Sequence, residues 1–336
     1  MMSSRPTIED VAKLAGVGRS TVSRVITGSP LVSGVARQAV ETAIAKIGYV
    51  PNAAARSLVT RRTDAIAVVI TSEEIVVGGY TYLHGVLRGI SNEAAARDRQ
   101  LVLAFGDDLD RLDSYLARHV VDGVVLISSV PDGPSPWQVQ RARLPVVLAG
   151  RPQGWTGSSC VTIDNEGGSR AAVDHLIATG SERTAMITGS AEFLDSRERY
   201  AGYVAALRAA GRDLDPALVA EGDFRYPDSG EHAMNLLLQR DPHVDGVFAA
   251  SDTIAIGALR ALAAAGRRVP DDVRVIGFDD DPLAARAEPP LSTVRVEFGE
   301  IGKRAVSMLL DLIAAGDGSD APSVVVGTEL VLRASA

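Results

Sequence analysis

A small all-α head carrying a helix-turn-helix, followed by an α/β body of two doubly wound parallel-sheet lobes, is the fold predicted by the 336-residue sequence. Three observations lead to it. Residues 1–63 hold nine Lys/Arg against three acids, a net charge of +6, whereas the remainder carries −14. Apolar residues in the first fifty positions recur at helical spacing between short breaks. From Ala65 onward, short continuous apolar runs alternate with helical stretches, the pattern of parallel strands covered on both faces. A basic head on an acidic body implies that only the head meets a polyanion.

The elements of the head follow in order. Thr7 caps a first helix, with Asp10 three residues on as a capping-box acid and Ile8, Val11, Ala12 and Leu14 on the inner face. Ala15-Gly16-Val17 ends it, since Gly16 can take the positive φ of a tight turn. A second short helix near Arg19–Ile26 turns Val22, Val25 and Ile26 inward and leaves Arg19, Ser20, Ser23 and Arg24 on one polar face. Two short helices joined by a glycine turn form a helix-turn-helix. Arginine can chelate guanine O6 and N7 in the major groove, while serine and threonine reach phosphates or bases. Ser33 caps a third helix that Gly48 ends. After Pro51-Asn52, Ala53–Val59 is alanine-rich and too short to be a stable helix alone, so residues 51–63 read as a hinge and linker between a 1–50 head and a 64–336 body.

In the body, strands are expected at Ile66–Ile70, Leu101–Phe105, Gly123–Ser128, Val146–Ala149 and Val161–Ile163. A second series is expected at Thr184–Thr188, Leu218–Glu221, Gly246–Ala250 and Val273–Phe278. Helical patterns at Glu166–Thr179, Ser196–Ala210, Asp228–Gln239 and Thr253–Ala265 lie between them. About ten strands of this kind fit two doubly wound lobes better than one.

Composition narrows the function. The chain is 46% hydrophobic, 23% charged and 4% aromatic, and no apolar run approaches the roughly 18 residues of a membrane span. Met-Met-Ser-Ser-Arg-Pro-Thr at the start has no apolar core of a secretory signal, so a cytoplasmic protein is expected. Cys160 is the single cysteine, which excludes an internal disulfide and a multi-thiolate metal site. The five histidines form no H-E-x-x-H, and there is no G-x-S-x-G or P-loop. Gly16-x-Gly18 follows no strand, and Asp279-Asp-Asp281 has no further spaced ligands. No catalytic activity, cofactor or metal is expected.

The run Asp10-Val-Ala-x-x-Ala-Gly-Val-x-x-x-Thr-Val-Ser-Arg-Val25, then Gly48-Tyr-x-Pro-Asn-x-x-Ala-Arg-Ser-Leu58, resembles the lactose-repressor (LacI/GalR) family of bacterial transcription regulators. The resemblance continues through Val121-Asp-Gly-Val, Pro145-Val-Val-Leu, Ile163-Asp-Asn-Glu-Gly, Ser251-Asp-Thr-Ile-Ala-Ile-Gly257, Val275-Ile-Gly-Phe-Asp-Asp280 and Pro290-Leu-Ser-Thr, over essentially the whole chain. It implies a nucleoid-associated homodimer on near-palindromic double-stranded operator DNA. It further implies a body resembling a type I periplasmic binding protein, with a small-molecule effector, a carbohydrate, between the lobes. Carried over by position, Arg19, Ser20 and Arg24 read bases. Thr7, Thr21, Ser23, Ser33 and Asn52 contact or support the backbone, and Ala55 is a further DNA-binding position. Leu58 is the minor-groove wedge. The matching effector positions are Tyr82, Ser128, Arg199, Phe224, Ser251 and Asp279.

Some positions depart from that pattern or admit another reading. Gly18, Thr27 and Ala36 stand where relatives have Ser, Asn and Thr, and Ser251 and Gly150 where relatives have Asn and Asp. Asp279-Asp-Asp281 before Pro282 reads alternatively as a cap, Arg199 as part of a solvated helix face, and Tyr82 and Phe224 as core. A sugar-binding transport protein or an α/β enzyme would share the body but not the basic helices. No leucine heptad follows Leu330-Val-Leu-Arg333, so the expected assembly is a dimer rather than a tetramer.

Overall fold

The computed structural model describes residues 6–50, 62–70, 80–105, 116, 118, 120–127, 144–152, 155, 157, 159–316 and 320–336. Asn52, Ala55, Leu58 and Ser128, and the expected hinge helix Ala53–Val59, lie outside the described residues. The chain divides into two compact units, Met1–Asp64 and Ala65–Ala336.

The first unit holds α1 (Ile8–Ala15), α2 (Arg19–Ile26) and α3 (Gly34–Ile47). Thr7 and Asp10 form the expected capping box. Gly16 takes φ 67°, where a side chain would be strained. Gly18 caps α2 with no side-chain bond, and Ser33 accepts from the Ala36 amide to cap α3. Val11, Val22, Val25, Val40 and Ala43 form the core of the head. They come from all three helices, so none buries its apolar face alone.

The second unit contains two six-stranded sheets. The first, in the order β11-β5-β4-β3-β1-β2, is built from β1 (Ala65–Ile70), β2 (Gln100–Phe105), β3 (Gly123–Ile127), β4 (Val146–Ala149), β5 (Cys160–Ile163) and β11 (Val324–Val326). The second, in the order β12-β10-β9-β8-β6-β7, is built from β6 (Thr184–Thr188), β7 (Val219–Glu221), β8 (Gly246–Ala249), β9 (Arg274–Asp279), β10 (Ser292–Val296) and β12 (Thr328–Val331). All pairings are parallel except β10 with β12. Strands β1, β3 and β8 are buried at every residue, as their unbroken apolar runs require.

The topology adds what the apolar runs did not show. The chain passes between lobes three times, after β5, after β10 and between β11 and β12. The first and third passages are tied by the Asp164 amide donating to the Val326 carbonyl at 2.9 Å. Strands β10, β11 and β12 exceed the expected set, because they are short or carry polar residues. Two helices also lay outside it, α4 (Tyr80–Ala96) and α9 (Phe298–Ala315), which pack together on the first lobe. Their contact runs through glycines: a Cβ on Gly89 would lie 2.0 Å from the Gly299 carbonyl oxygen. The second lobe carries α5 (Asn165–Ala178), α6 (Leu194–Ala209), α7 (Pro227–Arg240) and α8 (Asp252–Ala264), each within two residues of its sequence-based range. Among the described residues, no helix is long and apolar enough to cross a membrane.

Candidate functional site

Two arrangements of side chains stand out, one in each unit. On the head, helix α2 buries Val22 and Val25 and exposes Arg19, Ser20 and Arg24, with Thr21 and Ser23 half-buried at the margins of that face. The helix has no acid in its first turn, so its N-terminus keeps the partial positive charge of its free amides. Arg19 pairs with Glu9 of α1 at 3.1 Å, both side chains largely exposed. Such a pair is weak and gives way readily to a phosphate or a base edge. Thr7 is placed differently. Its hydroxyl donates to the Asp10 carboxylate at 2.8 Å, and the Thr7 backbone and side-chain bonds hold the Asp10 carboxyl below the usual range. Ser33 likewise accepts at a helix cap. Both therefore support helix starts.

In the body, a cavity of about 390 Å³ opens between the lobes, within the range of small-molecule sites, about 300–1,000 Å³. It lies past the carboxyl ends of the parallel strands, where open α/β sheets bind ligands. The first lobe supplies Tyr82 from α4, Arg151 after β4 and Phe298 from α9. The second supplies Arg199 from α6, Phe224 after β7, Ser251 before α8 and Asp279 at the end of β9. Five of the six sequence-predicted effector residues are thus brought to one cavity from positions up to 197 apart in the chain, the sixth being Ser128.

Arg199 is the centre of the polar wall. Its side chain is only 6% exposed and pairs with Asp279 at 3.2 Å. It also donates through Nε to the Asn165 side-chain oxygen at 2.9 Å and through NH1 to the Ala250 carbonyl. The guanidinium lies over the Phe278 ring, 3.8 Å from its centroid. These partners place Arg199 in a structured site and remove the solvated-face reading. Burial pushes the Asp279 carboxyl up to about 6, Arg199 opposing and Asp195 and Asp281 adding to the rise. Asp279 has φ 106°, a left-handed backbone rare outside glycine, and such outliers cluster at binding sites. Asp281 instead braces the local turn, accepting from the Leu283 amide at 2.7 Å, and the short helix that follows has no side-chain cap. Beneath the site, Asp252 accepts from the Thr293 hydroxyl at 2.6 Å and the Asp281 amide at 2.7 Å. Burial, followed by the Asp279 charge, raises its carboxyl well above the ordinary range.

The aromatic wall has two parts. Tyr82 meets Phe298 edge to face at 5.4 Å and donates its hydroxyl to the Ala149 carbonyl at 3.0 Å. Burial, with Asp195 adding, raises that phenol. Phe224 meets Phe193 edge to face at 5.7 Å and presses on Gly189, where a Cβ would lie 2.1 Å from the ring. Ser251 is more committed than expected: its oxygen accepts from the Ile254 amide at 3.2 Å as the cap of α8.

Sequence reasoning missed Asn165, Asp195, Glu198 and Arg151. Asn165, 1% exposed, donates to Asp195 at 2.7 Å and Glu198 at 2.9 Å while accepting from Arg199. Glu198 reaches across to Arg151 of the first lobe at 2.6 Å. The spacing 195, 198, 199 carried a signal, since i, i+3 and i+4 share one helix face. Phe298 carried none, because only the second passage between lobes brings it there. Among the described residues, no cluster of His, Cys, Asp or Glu could hold a metal ion.

Residues 7–52 match the family model described as bacterial regulatory proteins, lacI family, and residues 173–336 match the periplasmic binding protein-like domain. The chain is 46% identical over 336 residues to the HTH-type transcriptional regulator CelR of Thermobifida fusca, covering 98% of each. It is 34% identical to the ribose operon repressor of Escherichia coli strain K12, covering 91% of this chain and 93% of that one. Among solved structures it is similar to a transcriptional regulator CelR–cellobiose complex, with TM-score 0.76 and 43% identity over 99% of this chain and 100% of that chain. It is also similar to the lac repressor dimer bound to operator and the anti-inducer ONPF, with TM-score 0.78 and 25% identity over 99% of each chain.

Proposed function

The chain belongs to the lacI family of bacterial regulatory proteins, and from that premise we propose that it is a transcription repressor whose operator affinity is set by a β-linked glucose disaccharide of the cellobiose type. The observation that carries the reading is the cavity between the lobes, with paired aromatic rings on its walls and a buried guanidinium–carboxylate centre. Aromatic faces suit the apolar side of a pyranose ring, and Arg199 with Asp279 suits its hydroxyls. The identity to CelR and the likeness to a CelR–cellobiose complex support the choice of sugar.

In this reading residues 1–50 bind DNA, with Arg19, Ser20 and Arg24 at base edges and Thr21 and Ser23 at the backbone. Residues 51–63 form the hinge, with Asn52 and Ala55 supporting and Leu58 as the wedge. Residues 64–336 bind the effector, with Ser128 joining the five residues above. A homodimer on a near-palindromic operator, working in the cytoplasm at the nucleoid and without catalytic activity, completes it. Leu101, Leu103 and Phe105 support the dimer: they expose apolar surface along the edge strand β2, as a pairing face does.

The test is to select an operator from random DNA with the full-length protein and titrate it by fluorescence anisotropy, with and without cellobiose. The expected result is a near-palindromic site whose affinity changes by about 5–150-fold with the sugar, the usual span of allosteric coupling. Absence of sequence preference overturns the DNA reading. An operator affinity indifferent to cellobiose and to other disaccharides overturns the effector reading.

A further inference from the structure

We infer that the cavity selects an uncharged sugar and rejects sugars bearing a phosphate or carboxylate, because each described guanidinium that lines it is already held by a carboxylate of the same cavity. The inference rests on the sugar reading above and names the chemical class that the site admits. Anionic ligands are recognised by arginine forks that offer two parallel donors. Here the forks of Arg199 and Arg225 are engaged, and the half-exposed Arg151 is held through one donor. Arg199 pairs with Asp279 at 3.2 Å, Arg151 with Glu198 at 2.6 Å and Arg225 with Asp223 at 2.6 Å. The last pair is bidentate, with Nε also donating to both Asp223 oxygens.

The carboxylates outnumber these cations. Asp195, Asp252 and Asp281 also line the cavity, and the described donors that hold them are neutral: the Asn165 amide for Asp195, the Thr293 hydroxyl and a backbone amide for Asp252, and the Thr81 hydroxyl and a backbone amide for Asp281. Even with Asp252 protonated, five carboxylates face three guanidiniums among the described lining residues. A phosphate entering this cleft would have to strip a guanidinium from its partner and leave that carboxylate unpaired beside the new anion. Sugar hydroxyls meet neither penalty. Each can donate to a carboxylate oxygen and accept from a guanidinium edge while the ion pair stays in place.

The test compares cellobiose with cellobiose 6′-phosphate by isothermal titration calorimetry on the full-length protein, at two salt concentrations. The second arm repeats both titrations on Glu198→Gln, an isosteric change that releases Arg151 while leaving an oxygen to accept from Asn165. Cellobiose is expected to bind the wild type, and the phosphosugar on the order of 100-fold more weakly, the discrimination expected from juxtaposed like charge. Glu198→Gln is expected to recover about 10-fold of the phosphosugar affinity, more at low salt, with a smaller change for cellobiose. A phosphosugar bound by the wild type as tightly as cellobiose, or more tightly, overturns the inference and leaves the sugar reading standing. A wild type that binds neither overturns both. An unchanged preference in a Glu198→Gln protein that still binds cellobiose overturns the assignment of selectivity to spent guanidiniums.

Discussion

The exposed polar face of α2 and the cavity of the body hold the same residue types in opposite settings. On α2, Arg19 and Arg24 stand in solvent, and the described partner of Arg19 is one exposed glutamate. In the cavity, Arg199 is buried, fixed by a carboxylate, an amide oxygen and a backbone carbonyl, and stacked on a ring. DNA is large and brings its own charge, so an exposed guanidinium loses little on leaving water to meet it. A neutral sugar brings only hydroxyls and modest apolar surface. The protein must therefore organise its polar groups in advance, or ordering them would consume the affinity. Changes in the cavity should accordingly reach stability and ligand binding together, and changes on α2 should reach DNA binding alone.

The largest effect is expected from Arg199→Ala. It leaves Asp279 without its described cation in a buried setting, and removing one partner of a buried pair costs about 3–5 kcal/mol. Asp279 is 23% exposed, which places this change at the lower end. Denaturant unfolding should report the loss, and calorimetry should report no cellobiose binding. A protein as stable as the wild type that lost only sugar affinity would mean that the buried network is a binding device and not a structural one. Next, Arg24→Ala should cost about 1–3 kcal/mol on the selected operator and much less on random DNA, with cellobiose affinity unchanged. Equal losses on both DNAs would make Arg24 a phosphate contact.

The third expectation concerns pH. Because the folded state raises the Asp279 carboxyl from 3.8 to about 6, the native chain binds the proton more readily than the unfolded chain. Stability from this group therefore falls as pH rises from about 4 to 6 and is level above. Sugar hydroxyls donating to the carboxylate favour its ionised form. Cellobiose affinity should weaken as pH falls through 6, approaching 10-fold per unit below it, while Arg24-dependent operator discrimination shows no matching step. Calorimetry and anisotropy over pH 5–8 separate the two; a flat cellobiose profile would remove Asp279 from the ligand's direct partners. The smallest effect belongs to Arg151→Ala. Arg151 is 43% exposed, and such pairs contribute about 0.2–1 kcal/mol, so the change in cellobiose affinity should be a few-fold at most and should shrink with added salt.

The legibility of the two sites follows from the same contrast. Most of the head was readable: Thr7 as cap, Gly16 at positive φ, Val22 and Val25 inward and Arg19, Ser20 and Arg24 outward, while Leu14, expected on the inner face, is 43% exposed. Every one of those facts depends on neighbours within four positions. In the body, strands such as β1 and β3 were legible because an unbroken apolar run of five or six residues between turns fits a strand buried on both faces. The strands β10 to β12 were not, since Ser292-Thr-Val-Arg-Val296 and Thr328-Glu-Leu-Val331 read locally as mixed polar segments.

By itself, then, the sequence determined the helix-turn-helix, nine of the strands, the helices of the second lobe and, through the family resemblance, five of the residues that meet at the cavity. Local periodicity and capping chemistry are written in short stretches of chain, and the family motifs carry position. The tertiary structure alone decided which lobe each segment joins. It placed Phe298 against Tyr82, brought Asn165 between Arg199, Asp195 and Glu198, and set Arg151 across from Glu198. Those contacts join residues from 30 to 216 positions apart across the first two passages between lobes. The energy of each arises from burial and from the exclusion of water, which no single stretch of sequence contains.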